Sequence, residues 1–279
     1  MCEEPIDDPC VAIDTHAHLE QIADVDLALS EARAAGICAV VAVGMGMASN
    51  LRAMELAREY PQFVLPAAGA HPWYLQTESP GSQTRYQPRA GAHYSQGPRV
   101  YGDRPAPNEE IDLCLSWVRQ HLSQCVALGE VGLDYKAKTS HKTQHELFAQ
   151  LLEMARIESK PVIVHARYSH AHALEMVKEA RIQEAVFHWY SGPPDVLDQL
   201  LNHGYYISVT PALAYSNAHQ KAAICAPLQR ILVETDCPVE YQGKLSRPVD
   251  VLKTLSLLAG IKDIAVQAAA RTTLENARR

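Results

Sequence analysis

Eight short runs of β-branched and other apolar residues alternate with amphipathic stretches along this chain, and five of them end at or beside a residue able to ligate a metal ion. The runs occupy residues 11–14, 37–43, 63–70, 125–130, 161–165, 184–188, 204–209 and 230–235. Runs of this length and composition read as strands, and the 3.6-residue periodicity between them reads as helix. Helices are expected at 24–35, 50–60, 109–122, 143–158, 171–180, 194–203 and 216–225, with a closing pair at 248–258 and 263–277. That order suits an α/β TIM (β/α)8 barrel, a fold of about 250 residues that gathers its functional groups at the carboxyl ends of the strands. A doubly wound open sheet shares the alternation but would spread those ends apart. The barrel is expected because it lets all five converge on one mouth.

The convergent residues are His16 and His18 in CVAIDTHAHLE, Glu130 in LGEVGLD, His165 in VIVHAR, His188 in VFHWYSG and Asp236 in LVETDCP. A lone histidine at a strand end is usually a satisfied core or surface residue, but six coordinated candidates reverse that expectation. Imidazole with carboxylate suits borderline divalent ions, and a pair of ions about 3.5–4 Å apart can activate a bridging hydroxide. His16 and His18 would hold one ion with Asp236, and His165 and His188 the other. Glu130 would bridge them through its two oxygens. Two divalent ions are expected, from zinc, manganese, magnesium, iron, nickel and cobalt. The chemistry is then hydrolysis by a metal-bridged hydroxide, with Asp236 as general base.

Around this set, Asp14 and Glu234 each lie two residues before a ligand, so strand alternation aims them the same way. Each can fix an imidazole tautomer by accepting its N–H, or be bonded elsewhere in the barrel. Arg167 has the planar fork that grips phosphate, or can pair with a carboxylate at the barrel mouth. Ser191 and Gly192 precede Pro193 and Pro194 at a helix start, where backbone N–H groups can meet an oxyanion. His141 and His145 share a helix face, but Lys142 stands where HExxH requires glutamate. They are expected not to be ligands. His170 and His172 read as a solvated helix start, and GMGMA after the second strand as a tight turn.

Residues 77–108 have no hydrophobic period and are rich in Gly, Pro, Ser and Gln, so one barrel over 1–279 is expected to carry a long loop there. The segment holds Arg85, Arg89, Arg99 and Arg104 with Tyr86, Tyr94 and Tyr101, which fits either a substrate-facing arm or a solvated insertion. Over the whole chain the formal charge of −7 argues against nonspecific adhesion to nucleic acid, which needs many Lys and Arg contacts. The longest apolar run, Ile37 to Val43, is too short to span a bilayer, and MCEEPIDDP is acidic where a secretory signal is basic. A cytoplasmic protein with no membrane association and no obligate protein partner is expected. Its seven cysteines lack a CxxC pair and read as reduced core residues.

The segments DTHAHLE, GAHPW, LGEVGLDY, PVIVHAR, FHWYSG and LVETDCP, with RTTLENA near the C-terminus, resemble in order the signature blocks of the TatD family of metal-dependent hydrolases. The resemblance implies a TIM barrel with divalent-metal-dependent deoxyribonuclease activity. It places the family's ligands on His16, His18, Glu130, His165, His188 and Asp236, and its substrate-contacting histidine on His71. DNA, single-stranded or attacked from an end, is the substrate it implies. Departures are the long loop, the Trp189–Tyr190 pair after His188 and the HAH that follows Arg167. Related barrels that open small amides, lactones or phosphotriesters are the alternative, yet many bridge their ions with a carboxylated lysine where Glu130 stands here. A noncatalytic metal-binding barrel is the remaining class.

Overall fold

The computed structural model describes residues 11–75 and 108–279. Eight strands, β1 (Ala12–Ala17), β2 (Ile37–Val43), β3 (Val64–Ala68), β4 (Ala127–Asp134), β5 (Val162–Arg167), β6 (Ala185–Phe187), β7 (Tyr206–Val209) and β8 (Ile231–Val233), form one sheet in chain order. Every neighbouring pair is parallel. Parallel neighbours need crossovers, and helices supply them: α1 (Val25–Ala34), α2 (Met47–Glu59), α3 (Asn108–His121), α4 (His141–Glu158), α5 (His170–Glu179), α6 (Pro194–Asn202) and α7 (Asn217–Cys225). At the mouth β8 returns to β1 through a bridge between Ala17 and Cys237. His18 N–H donates to Cys237 O at 2.8 Å and Asp236 N–H to His16 O at 2.9 Å. The sheet is thus a nearly closed barrel.

Two apolar layers hold it. Helices bury stripes against the outside of the sheet, as α4 does with Leu147, Leu151, Leu152 and Ala155, each leucine contributing roughly 1.5–3 kcal/mol by leaving water. Inside, Val41, Val43, Ala67, Ala127 and Ile163 pack together with Ile13. Coming from five successive strands, they meet on the concave face and fill the barrel. After β8 an antiparallel hairpin of β9 (Glu240–Tyr241) and β10 (Lys244–Leu245) turns through Gln242 and Gly243, both at positive φ. Then α8 (Val251–Lys262) and α9 (Val266–Ala277) close the chain. In α9 the RTTLENA asparagine, Asn276, donates to Leu228 O at 2.9 Å and Ile231 O at 2.8 Å, tying this helix to the start of β8.

The expected strand bounds need correction at β5, which runs past His165 to Arg167, and at β1 and β4. The last two run further than the pattern indicated, so His16 and Glu130 lie within strands instead of at their ends. Each of these two carries a register shift, between Asp14 and Ala17 and between Leu128 and Val131. Such a shift breaks strict alternation and re-aims side chains near a barrel rim. Gly69 accommodates the one at Glu130: a Cβ there would lie 2.6 Å from Glu130 O. The segment expected to form a long loop, with its Arg and Tyr side chains, lies outside the described residues. Cys114, Cys125 and Cys237 are buried free thiols and Cys225 an exposed one, whereas Cys38 is disulfide-bonded and so departs from the reduced state expected of it. No helix among the described residues is long and apolar enough to cross a membrane.

Candidate metal centre

Glu130 stands at the centre of the mouth, buried, with its two oxygens facing different neighbours. Oε2 lies 3.6 Å from His16 Nε2 and 3.4 Å from His18 Nε2, and the same two nitrogens lie 3.5 and 3.3 Å from Asp236 Oδ1. Oε1 lies 2.8 Å from His165 Nδ1, 2.8 Å from His188 Nε2 and 3.4 Å from His71 Nε2. β1 supplies His16 and the residue leading to His18, while β5 supplies His165. His188 and Asp236 follow β6 and β8, and His71 follows β3. All six sequence-derived ligands are therefore together, with His71 among them.

The chemistry of this donor set fits a cation. His18 Nδ1 lies 3.2 Å from Val43 O, an acceptor, so Nδ1 carries the hydrogen and Nε2 presents a lone pair to the cluster. Likewise His165 Nε2 faces the Asp134 carboxylate at 3.3 Å, which turns the Nδ1 lone pair toward Glu130 and His188. Lone pairs crowded together repel unless a proton or metal ion lies among them. His16 and His18 Nε2 are 3.3 Å apart, and His165 Nδ1 and His188 Nε2 are 3.2 Å apart. Ligands at 2.0–2.1 Å around a tetrahedral zinc ion are separated by about 3.3 Å. His16, His18 and Asp236 form one group of suitably close donor atoms, and His71, Glu130 and His165 another.

The electrostatics describe the same unit. Burial would raise the Glu130 carboxyl, but His71, His188 and hydrogen bonds from His16 and His165 hold it well below the usual carboxylate range. Burial opposes charge on His18, His188 and His165, yet the carboxylates around them push all three above the usual imidazole value. His71 goes the other way, lowered by burial to about 4 despite Glu130. Asp236 is held down by His18 and His16 against its burial, and its backbone is left-handed at φ 51°.

The supporting residues divide. Glu234 faces His188 Nδ1 at 3.4 Å and accepts the Trp189 N–H at 3.1 Å. Asp14 does not reach an imidazole: it accepts the Thr235 hydroxyl at 2.6 Å and the Thr235 N–H at 2.9 Å. The register shift in β1 and the closure against β8 explain this choice. Arg167 is half-exposed, its NH1 3.8 Å from Asp134 Oδ2. Ser191 is exposed, and Gly192 packs by the His170 ring and the Tyr190 hydroxyl. His145 Nε2 and His172 Nδ1 each lie 2.8 Å from the Tyr135 hydroxyl, with His141 stacked on that ring at 3.8 Å.

Asp134 escaped the sequence reading. It is fully buried, accepts the Trp73 Nε1–H at 2.7 Å and the Lys136 N–H at 2.8 Å, and faces His165. Its place four residues after Glu130, on the same parity of one strand, was the available signal.

Comparison with known proteins finds similarity along most of the chain. The family described as TatD related DNase matches residues 13–279. The human protein named Deoxyribonuclease TATDN3 is 26% identical over 275 residues, covering 95% of this chain and 92% of its own. YabD of Bacillus subtilis, named a metal-dependent hydrolase, is 27% identical over 283 residues, covering 95% and 97%. The crystal structure of YJJV, a TatD homologue from Escherichia coli, superposes with a TM-score of 0.77 at 23% identity, covering 96% of each chain.

Proposed function

Because this chain belongs to the TatD family and is a metal-dependent hydrolase, we propose that it is a deoxyribonuclease hydrolysing the phosphodiester bonds of DNA. The observation that carries this reading is the division of Glu130, whose two oxygens face two separate sets of imidazoles. In it, His16, His18 and Asp236 would hold one divalent ion and His165 and His188 a second, with Glu130 available to both. Such ions polarise a phosphoryl oxygen and acidify water.

The chain's own residues do the rest. Val43 O and Asp134 orient His18 and His165 so that each ring would turn a lone pair toward a bound ion. Asp236 is our candidate to accept the proton of the attacking water. Arg167, at the open edge of the site, grips a phosphate of the strand with its guanidinium fork. His71, neutral at physiological pH, meets substrate beside the second donor set. Backbone N–H groups around Ser191 and Gly192, ahead of α6, receive a phosphate oxygen.

The test is elemental analysis of the purified protein and of Glu130→Ala, with assays on single-stranded DNA, duplex DNA, a chromogenic phosphodiester and a panel of lactones. Two ions and DNA hydrolysis are expected, both lost in Glu130→Ala. Turnover of lactones alone would overturn the DNA reading. Full metal occupancy in Glu130→Ala would overturn the bridging role.

A further inference from the structure

Directly after β5, at the edge of the mouth, Tyr168 leaves 69% of its surface in water while its backbone sits at φ 57°. A bulky residue in the left-handed region is a conformational outlier that persists only where its surroundings enforce it. Here both flanks are pinned. Arg167 O accepts the Tyr135 N–H at 2.9 Å, and the buried Ser169 hydroxyl donates to Leu133 O at 2.7 Å. Between these anchors the ring is turned outward instead of into the core that its size would favour.

The outward ring has cationic company. Lys136 Nζ lies over it, 4.8 Å from the centroid. Arg167 precedes it and reaches toward Asp134, which faces the ligand His165. Three residues of chain span at most about 11 Å, so Tyr168 stands within a few nucleotides of the centre. In a chain of net charge −7, an aromatic face flanked by Lys and Arg beside the catalytic mouth matches one ligand chemistry: a base joined to a phosphate.

We propose that Tyr168, Lys136 and Arg167 form a nucleotide subsite of the DNA track, in which one base stacks on the free face of Tyr168 and its phosphate meets the two cations. This rests on the reading of the chain as a deoxyribonuclease. Stacking tolerates any base, so the subsite grips a single strand without selecting its sequence. It also explains how an acidic protein holds a polyanion: the contact is local, and the ring supplies binding that salt does not screen.

The experiment uses the metal-loaded protein and a fluorescent single-stranded oligonucleotide in which one base at a time is replaced by 5,6-dihydrothymine, whose puckered ring cannot stack. At one position, replacement raises the wild-type KM about tenfold, the size expected for one base–aromatic contact, and moves kcat less than threefold. Tyr168→Leu raises KM on the unmodified strand equally and no longer responds to replacement at that position. Tyr168→Phe behaves as wild type. Lys136→Gln lowers the slope of log KM against log salt by about 0.7, the value for one phosphate contact on a single strand. If the wild type cleaves the strand and Tyr168→Leu cleaves it with an unchanged KM, the subsite is wrong and the nuclease reading stands. If the wild type cleaves a chromogenic phosphodiester but no oligonucleotide, both fall together.

Discussion

Replacing Asp134 with asparagine preserves shape and removes charge at a buried residue outside the proposed ligand set. In the wild type, Oδ2 receives the Trp73 Nε1–H at 2.7 Å and faces His165 Nε2 at 3.3 Å, while Oδ1 receives the Lys136 N–H at 2.8 Å. All three partners donate. An asparagine must therefore point its NH2 group at a donor in either orientation. The size of the effect follows from the carboxyl itself. Burial raises it, yet the His165 hydrogen bond and charge, followed by Lys136 N–H and Trp73, bring it from 3.8 down to about 2. At about 1.4 kcal/mol per pH unit, the carboxylate is favoured by roughly 2 kcal/mol net of its burial. Losing a group that orients a metal-ligating imidazole weakens metal binding about 10–100-fold, or about 1.4–2.7 kcal/mol, the same range. The assay is the zinc dissociation constant near neutral pH, measured by competition with a chromogenic chelator. Because the folded-state pKa is depressed, the wild-type contribution to stability is present above about pH 3.8 and is lost as pH falls toward 2. Asp134→Asn should lack that loss. Zinc affinity within threefold of wild type would refute the reasoning.

Two further outcomes are expected. The raised values of His18, His165 and His188 come from carboxylates in the metal-free protein, so their stabilisation is complete below pH 6.5 and is lost as pH rises through the shifted values. Zinc must displace those protons. The rise in Tm on adding zinc should therefore grow from pH 6 to pH 8, and a flat response in differential scanning would exclude proton–metal competition. Gly69→Ala places a Cβ 2.6 Å from the Glu130 carbonyl and the Gly129 carbonyl carbon, both backbone atoms that cannot step aside. Overpacking of this kind costs about 1–3 kcal/mol. Chemical denaturation should show that loss together with weaker metal binding, and an unchanged midpoint would mean that β3 and β4 are less tightly apposed.

The legibility of the fold varied along the chain for reasons that particular residues show. β2 was read at its observed bounds because Ile37–Val43 is a continuous apolar run buried on both faces. Gly132 and Asp134 resemble turn residues, so the sequence pattern ends β4 at Glu130. In the barrel Gly132 takes φ +145° against the His165 backbone, and the strand runs on to Asp134. The short hairpin at Glu240–Leu245 leaves no mark in the sequence pattern, because two-residue strands have no period to detect.

The candidate site divides the same way. Its ligand types and their order along the chain are properties of the sequence: six imidazoles and carboxylates at or beside the ends of apolar runs, in blocks that resemble a known family. Alternation alone aimed His165 and Arg167 together on β5, because that strand is regular, whereas Asp236 lies beyond the end of β8 at a left-handed φ of 51°. Tertiary structure decided the rest. Asp14 and Thr235 are 221 positions apart, and their 2.6 Å hydrogen bond exists only because the barrel closes. Asp134 gained its role from Trp73 and His165, on segments that follow or form other strands. Local pattern fixes which face a side chain takes on its own strand, whereas a ligand's tautomer and charge depend on neighbours that only the closed sheet brings within 4 Å.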